Sequence, residues 1–308
     1  MKRILVGTDL SPAGNRAVQV AVSMAHRTGA ALRIVHVAPP KRWLTGLWRV
    51  DFRTLSAVHR HAAEAVKHLA EALDANRQID LSTGVISGAA SAQLVRAALE
   101  FDADLLVVGA RGEHEVRTTD ITLGGTATRL LSTTPVPLFI ARSIVQHPSP
   151  VLAAVDLSPL SKDVLTWARA NTGEGEVLTV FHAYDVPFAS RLEAYGIAKE
   201  TIDLYSNEDL KEREEAIHAL LGEIGGTRGE RVIVRRGDAI DSLFACIQEV
   251  NPGLIVVGQH TRRGRSGAKR SGSVARHVAF FAAANVLVVP PSRSPLVKPG
   301  DDASADSD

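Results

Sequence analysis

Residues 105–140 read LLVVGARGEHEVRTTDITLGGTATRLLSTTPVPLFI. The apolar run Leu105–Val108 is strand-length and stops at Gly109. Gly109 and Gly112 open a loop, and Gly124-Gly125-Thr126 closes it. A helix can start there and run to about Ser132, ahead of Pro135 and Pro137, and a second apolar strand ends at Ile140. Glycines just after a buried strand let a ligand approach the backbone closely. A helix start behind them offers unpaired N–H groups and the positive end of a dipole. Together they form a phosphate-binding arrangement. The same glycines also suit a plain turn, so both readings stand at this point.

Upstream of this stretch, strands and helices alternate. Arg3–Thr8 reads as a strand, and Asp9-Leu10-Ser11-Pro12 as a turn in which Ser11 caps a helix and Pro12 takes its first position. Ala17, Val18, Ala21, Val22 and Ala25 recur at helical spacing until Gly29. Ala31–Val37 is a second strand, and Phe52–Leu73 carries the apolar stripe of a long helix. Leu81–Ile86 is a third strand, followed by a helix over 91–100.

Downstream, the pattern repeats. Asp156-Leu157-Ser158-Pro159 matches Asp9-Leu10-Ser11-Pro12 at an offset of 147, and Leu178–His182 matches Leu32–His36 at 146. Val256-Val257-Gly258 matches Val107-Val108-Gly109 at 149, and Gly272-Ser273 matches Gly125-Thr126 at 147. Landmarks in one order at nearly one offset mark an internal duplication of domain size. The expected organisation is a first domain over 1–142, a linker over 143–149, a second domain over 150–291, and a disordered acidic tail over 292–308.

Composition narrows the function. At 308 residues, 45% hydrophobic and 22% charged, the chain can form two globular domains. A formal net charge of +1 argues against a dedicated nucleic-acid binder. The apolar runs are too short to span a membrane. The single cysteine, Cys246, excludes an intrachain disulfide and a Cys-rich metal site, and makes the cytoplasm the default location.

Alternating strands and helices predict parallel sheets with helices on both faces, and ligands in such sheets bind where the strand order reverses. If the first and fourth strands flank that point, Asp9 and the Gly109–Gly112 loop face one crevice. Asp9 could accept hydrogen bonds from ribose or base, while Gly109, Gly112, Gly124, Gly125 and Thr126 hold phosphate. The competing reading gives Asp9, and Asp156 in its place in the second half, the job of starting the turn before the helix.

The whole chain resembles a tandem universal stress protein, two UspA-type domains in one polypeptide. The resemblance rests on ILVGTDLSP and VLAAVDLSP at the domain starts, and on VVGARG…LGGTATRLL…VPLFIAR and VVGQH…SGSVARHV…NVLVVP at their ends. It covers about Met1–Arg142 and Ser149–Pro290. It implies an α/β fold with two tandem open five-stranded parallel sheets of strand order 3-2-1-4-5. ATP would lie across the switch point, with Val35 beside the base. Dimer-like pairing would run through the fifth strands, within the chain as a pseudo-dimer or between chains as a homodimer. ATP-binding members carry Gly-x2-Gly-x9-Gly-Ser/Thr. The first half keeps Gly109-x2-Gly112 but reaches Gly125-Thr126 late, over a loop carrying Glu113, Glu115 and Asp120. The second half keeps Gly258, Gly272 and Ser273 but has Thr261 in place of the next glycine, and its loop carries Arg262, Arg263, Arg265, Lys269 and Arg270. Those cations could replace the missing backbone contacts to phosphate, or form a solvated basic loop.

The expected function is therefore a non-catalytic regulatory module that binds ATP or a related nucleotide in at least one domain. The alternative is a ligand-free interaction scaffold of the stress response with degenerate sites. No Gly-x-Ser-x-Gly elbow or P-loop occurs. His36 and His182, at equivalent strand ends, read as histidines satisfied by backbone partners. His61, Glu64 and His68 share a helix face but are too few for a convincing metal site. Trp43, Leu44, Leu47 and Trp48, with Tyr195, Ile197 and Tyr205 in the corresponding insertion, read as packing within their own domains.

Overall fold

The computed structural model describes residues 1–39, 52–75, 78–111, 123–144, 149–184, 199–226, 229–259, 261–263, 269–271 and 273–291. Gly112, Gly272, Trp43, Leu44, Leu47, Trp48, Tyr195, Ile197, the acidic loop residues Glu113, Glu115 and Asp120, and the tail over 292–308 lie outside the described residues.

The first half runs β1 (Arg3–Thr8), α1 (Pro12–Thr28), β2 (Ala31–Ala38), α2 (Phe52–Leu73), β3 (Leu81–Ser87), α3 (Ala90–Glu100), β4 (Leu105–Gly109), α4 (Gly125–Thr133) and β5 (Leu138–Ala141). The second runs β6 (Val151–Ala154), α5 (Leu160–Ala170), β7 (Leu178–Tyr184), α6 (Lys199–Glu223), β8 (Arg231–Arg236), α7 (Ala239–Val250), β9 (Leu254–Gly258), β10 (Thr261–Arg263), β11 (Lys269–Ser271), α8 (Ser273–Phe281) and β12 (Asn285–Val289). α1 shows the local chemistry plainly. Ser11 Oγ accepts the Gly14 N–H, Pro12 opens the helix, and Gly29 closes it at φ 66 with its N–H on the Ala25 carbonyl. Ala17, Val18, Ala21, Val22 and Ala25 are buried, as their spacing predicts.

Each half has the expected strand order, but the two expected sheets are one. Ten strands run in the order β3-β2-β1-β4-β5-β12-β9-β6-β7-β8. The join is antiparallel, with Ile140 opposite Val286, Phe139 opposite Leu287 and Leu138 opposite Val288. Pairing is parallel within each half, as in β1 with β4 and β6 with β9. The sheets merge because β5 and β12 are apolar on both faces: every residue of each is buried. An unpaired edge of that composition would expose both apolar surface and free backbone groups. The sheet instead ends at β3 and β8, whose residues are only partly buried.

Two apolar layers follow. One packs α1 and α5 beneath the sheet and gathers Ile4, Leu105, Phe139, Val164, Val256 and Leu287. The other lies under α3, α4, α7 and α8 and gathers Leu5, Leu94, Leu130, Ile255, Cys246 and Val278. Both layers are continuous across the join. Cys246 is a buried free thiol whose pKa is pushed up by desolvation, as an unreactive core cysteine requires.

Polar contacts reinforce the join. The buried Asn285 side-chain oxygen accepts the N–H of Arg142 at 2.7 Å and of Ser143 at 3.1 Å, and its amide donates to the Ser143 carbonyl at 3.1 Å. The Arg142 guanidinium donates to the Ala279 carbonyl in the last turn of α8, where a cation is favoured. Gln259, after β9, donates to the Leu131 carbonyl in α4. On the other face Arg27 reaches the Ala170 carbonyl at the end of α5 at 3.3 Å.

The basic stretch of the second half contains an element not expected from sequence. Its flanks pair as the antiparallel hairpin β10–β11, with Arg262 opposite Arg270 and Arg263 opposite Lys269. β11 comes within 8 Å of α4, Cα to Cα. No apolar alternation announces this hairpin, so strand periodicity could not reveal it.

Candidate functional site

Strand order places the site. β1 and β4 are neighbours, with Gly7 beside Val108 in register, and their carboxyl ends lead to Asp9 and to Gly109. The order reverses between them, since β2 lies beyond β1 and β5 beyond β4. Gly124 is drawn to this end of the sheet because its N–H donates to the Ala110 carbonyl at 2.8 Å. Gly124 is the N-cap of α4 at φ −65 and ψ 156, and it has no side chain with which to cap the helix. Among the described residues, a Cβ on Gly125 would meet nothing within 4 Å. Strand order and the Gly124–Ala110 bond thus bring Asp9, Gly109, Gly124, Gly125 and Thr126 to the carboxyl end of the β1–β4 pair, where α4 begins with its positive pole.

The turn after β1 is built with more constraint than its sequence suggests. Asp9 Oδ1 accepts the Ser11 N–H at 3.0 Å and the Ser11 hydroxyl at 2.5 Å. The Leu10 N–H donates to Thr8 Oγ1 at 3.0 Å. Leu10 is left-handed at φ 66, and its counterpart Leu157 at φ 61. Such a conformation costs a residue with a Cβ about 1–2 kcal/mol. Both leucines pack against the α1–α5 apolar layer, which offsets that strain. Gly14, not singled out from sequence, is needed because a Cβ there would come 2.5 Å from Asp9 Oδ1.

Gly109 has a packing reason to be glycine. Its missing Cβ would lie 2.9 Å from the Ala13 carbonyl oxygen and 3.2 Å from that of Arg111. The glycine lets the first turn of α1 close on the end of β4. Gly125, by contrast, meets no described neighbour. Val35 is 2% exposed and packs in the layer under α3 and α4, in register with Gly7.

Two cations at this end of the sheet carry no mark in the sequence. Arg111 follows β4 by two residues, and Arg142 follows β5 directly. Burial, and then the nearby Arg111 charge, lower the Arg142 pKa to about 10. Nothing in the spacing marked them, because it is the adjacency of β4 and β5 that brings them close. Sequence also gave no sign that Ser87 Oγ would lie 2.7 Å from His59 Nε2, a contact that ties α2 to the end of β3.

The second half keeps the motif and changes the geometry. Ser161 stands where the first half has Gly14, and its hydroxyl donates to Asp156 Oδ1 at 3.2 Å, beside the Ser158 N–H at 3.1 Å. Asp156 is exposed, whereas Asp9 is half-buried. α5 starts at Leu160 with Pro159 as N-cap, so Ser158 does not cap as Ser11 does. Leu160 covers Gly258: a Cβ there would meet its Cδ2 at 2.8 Å. Ser273 opens α8, following Gly272. A cleft remains at this end of the sheet, lined mainly by apolar residues including Leu160, Val164, Phe181, Leu243, Val257 and Val274.

The two strand-end histidines behave alike. His36 Nδ1 lies 3.0 Å from the Thr8 carbonyl and His182 Nδ1 lies 2.8 Å from that of Val155, each tying the second strand of its half to the end of the first. Burial, opposed by the Val155 hydrogen bond, pushes the His182 pKa down, and Arg213 lowers it further. His61 and His68 pair with Glu64 and Glu71 on the exposed face of α2. Among the described residues no group of three or more His, Cys, Asp or Glu side chains is placed to hold a metal ion, and no helix is long and apolar enough to cross a membrane.

Comparison with known proteins agrees with this architecture. The model of the universal stress protein family matches residues 1–142 and again residues 149–290. No curated protein is similar enough to match the chain. The crystal structure of a universal stress protein from Archaeoglobus fulgidus DSM 4304 superposes with a TM-score of 0.69 at 19% identity, over 94% of this chain and 98% of that one. A functionally unknown protein from Pseudomonas aeruginosa PAO1 gives a TM-score of 0.66 at 19% identity, over 95% of this chain and 93% of that one. At that identity the likeness speaks for the fold alone.

Proposed function

This chain belongs to the universal stress protein family, and we propose that its first half is a non-catalytic, cytoplasmic regulatory module that binds ATP or a related nucleotide. One observation carries the reading: the start of α4, with glycine as N-cap and no described neighbour at Gly125, is tied by the Gly124 N–H to the Ala110 carbonyl just beyond β4, the strand that borders the switch point. Phosphate groups would take the N–H groups of Gly125 and Thr126, aided by the dipole of α4 and the charge of Arg111. Asp9 would orient the sugar or base from the β1 side. The hydrogen bonds that Asp9 accepts from Ser11 already fix its carboxylate, which is the preorganisation a binding site needs. Gly109 serves the site indirectly, by letting α1 and β4 come together.

In this reading nucleotide occupancy stiffens the turn after β1 and the start of α4, on either side of β4, which pairs with the joining strand β5. Equilibrium dialysis of the intact chain with labelled ATP tests it. Saturable binding of one nucleotide per first-half site supports the reading. Absence of saturable binding at millimolar ATP, with the protein folded, supports the ligand-free scaffold instead.

A further inference from the structure

We infer that His182 and Arg213 form an acid-released latch, in which protonation of His182 expels Arg213 and frees the part of α6 ahead of Ile217 from the sheet. The geometry defines the closed state. His182 Nδ1 lies 2.8 Å from the Val155 carbonyl, which can only accept, so Nδ1 carries the proton. Nε2 is then a lone pair, and Arg213 Nη1 donates to it at 3.4 Å. A guanidinium has donors only, so this bond requires a neutral imidazole. The same guanidinium lies over the Tyr184 ring, 4.9 Å from its centre. A proton on Nε2 removes the acceptor and sets a second cation against Arg213.

The surroundings do not offset that repulsion. Strand alternation puts His182 on the face of β7 that carries Leu178 and Val180. α5 brings Leu160 and Val164 to that layer, and β8 sets Val234 opposite His182 and Arg236 opposite Tyr184. The charges that act on His182 are Arg213 and Asp156, and Asp156, exposed beyond β6, is the weaker. Burial disfavours the charged ring above all.

The latch is also built to open. Among the described residues Arg213 Nε is buried without a hydrogen-bond partner, a loss that water would make good. Among the described side chains of α6 only Ile217 and Leu221 are buried, and both follow Arg213. Past the helix end Arg169 holds the Ile224 and Gly226 carbonyls at 2.9 and 2.8 Å. The far end of α6 is therefore anchored, while Arg213 holds the part before Ile217. In the first half His36 makes the same backbone bond, but α2 has Ala62 one turn ahead of its buried Val66, where α6 has Arg213 one turn ahead of Ile217. Opening returns His182 to water and to its ordinary pKa. The open fraction therefore grows as pH falls below 6.5, by up to about tenfold per pH unit, until the closed-state pKa is reached.

Hydrogen exchange of the intact chain, read by mass spectrometry at about pH 7.5 and about pH 5 and divided by the intrinsic rate at each pH, tests the latch. Protection over residues 208–216 should fall about tenfold or more at the lower pH, while protection over β6 stays the same. Arg213→Gln removes the charge, and its amide can donate to Nε2 or accept from it. His182→Asn does not titrate. In both variants protection over residues 208–216 should be the same at the two pH values. His218, exposed on α6, is present in all three proteins, so its protonation cannot mimic the result. Protection unmoved by pH in the wild type, falling equally over β6, or falling as much in either variant would overturn the inference.

Discussion

Asn285, at the start of β12 in the second half, holds the N–H of Arg142, at the end of the first, at 2.7 Å. Asn285 is fully buried, and its one side chain satisfies three backbone groups of residues 142 and 143. The sheet is continuous at the point where the chain passes from one half to the other, and Asn285 keeps the departing backbone paired there.

Asn285→Ala leaves two N–H groups and a carbonyl without these partners. We expect it to destabilise the protein by about 2–4 kcal/mol. The urea midpoint checks this, and an unchanged midpoint would mean that water replaces the amide.

Leu10 inverts a usual preference. Its left-handed backbone disfavours any residue with a Cβ. Leu10→Ala loses packing and keeps the strain, whereas Leu10→Gly loses packing and relieves it. The glycine variant should be the more stable by about 1 kcal/mol in urea unfolding. The opposite order would place the turn in another conformation.

His182 predicts a pH dependence. Its folded-state pKa lies below the ordinary value of 6.5, chiefly through burial. Between the two pKa values the unfolded chain binds a proton that the native chain does not. The contribution is therefore complete above pH 6.5 and is lost as pH falls toward the folded-state pKa, at up to about 1.4 kcal/mol per pH unit. His182→Asn retains a donor for the Val155 carbonyl but does not titrate. The stability difference between wild type and this variant should change with pH below 6.5. A constant difference would contradict the assignment.

The two glycines at the ends of the loop should respond oppositely to alanine. Gly109→Ala drives a Cβ into the Ala13 carbonyl and should cost about 1–3 kcal/mol. Gly125→Ala enters open space in the first turn of a helix and should be neutral or stabilising by up to about 1 kcal/mol. Thermal unfolding of the two variants separates them.

The stretch over 105–140 made the strand–loop–helix–strand unit legible, because apolar runs and glycines are local signals. The duplication was equally plain, since Asp156–Pro159 repeats Asp9–Pro12 residue for residue. What the repeat did not reveal is that identical words start their helices differently: Ser11 caps α1, whereas α5 begins after Pro159. Two positions further on Ser161 replaces Gly14, where a Cβ would crowd Asp9, and its hydroxyl instead donates to Asp156. Gly109 reads equally as phosphate cradle or turn, and its packing against the Ala13 carbonyl is invisible in the sequence. The hairpin of the second half is spelled by Thr261-Arg262-Arg263 and Lys269-Arg270-Ser271, with no apolar alternation to announce a strand. Arg111 and Arg142 are distant in sequence and meet only because β4 and β5 are adjacent.

Gly125 offers the most direct test of nucleotide binding in the first half. A carboxylate placed there suits the helix start, because an acidic side chain favours the positive pole of α4, yet it stands where phosphate would lie. Calorimetric titration with ATP should show saturable binding to the wild type. Gly125→Glu should unfold at the same or a higher temperature and bind ATP at least about tenfold more weakly. ATP binding of equal strength in the two proteins, or none in the wild type, would contradict the account.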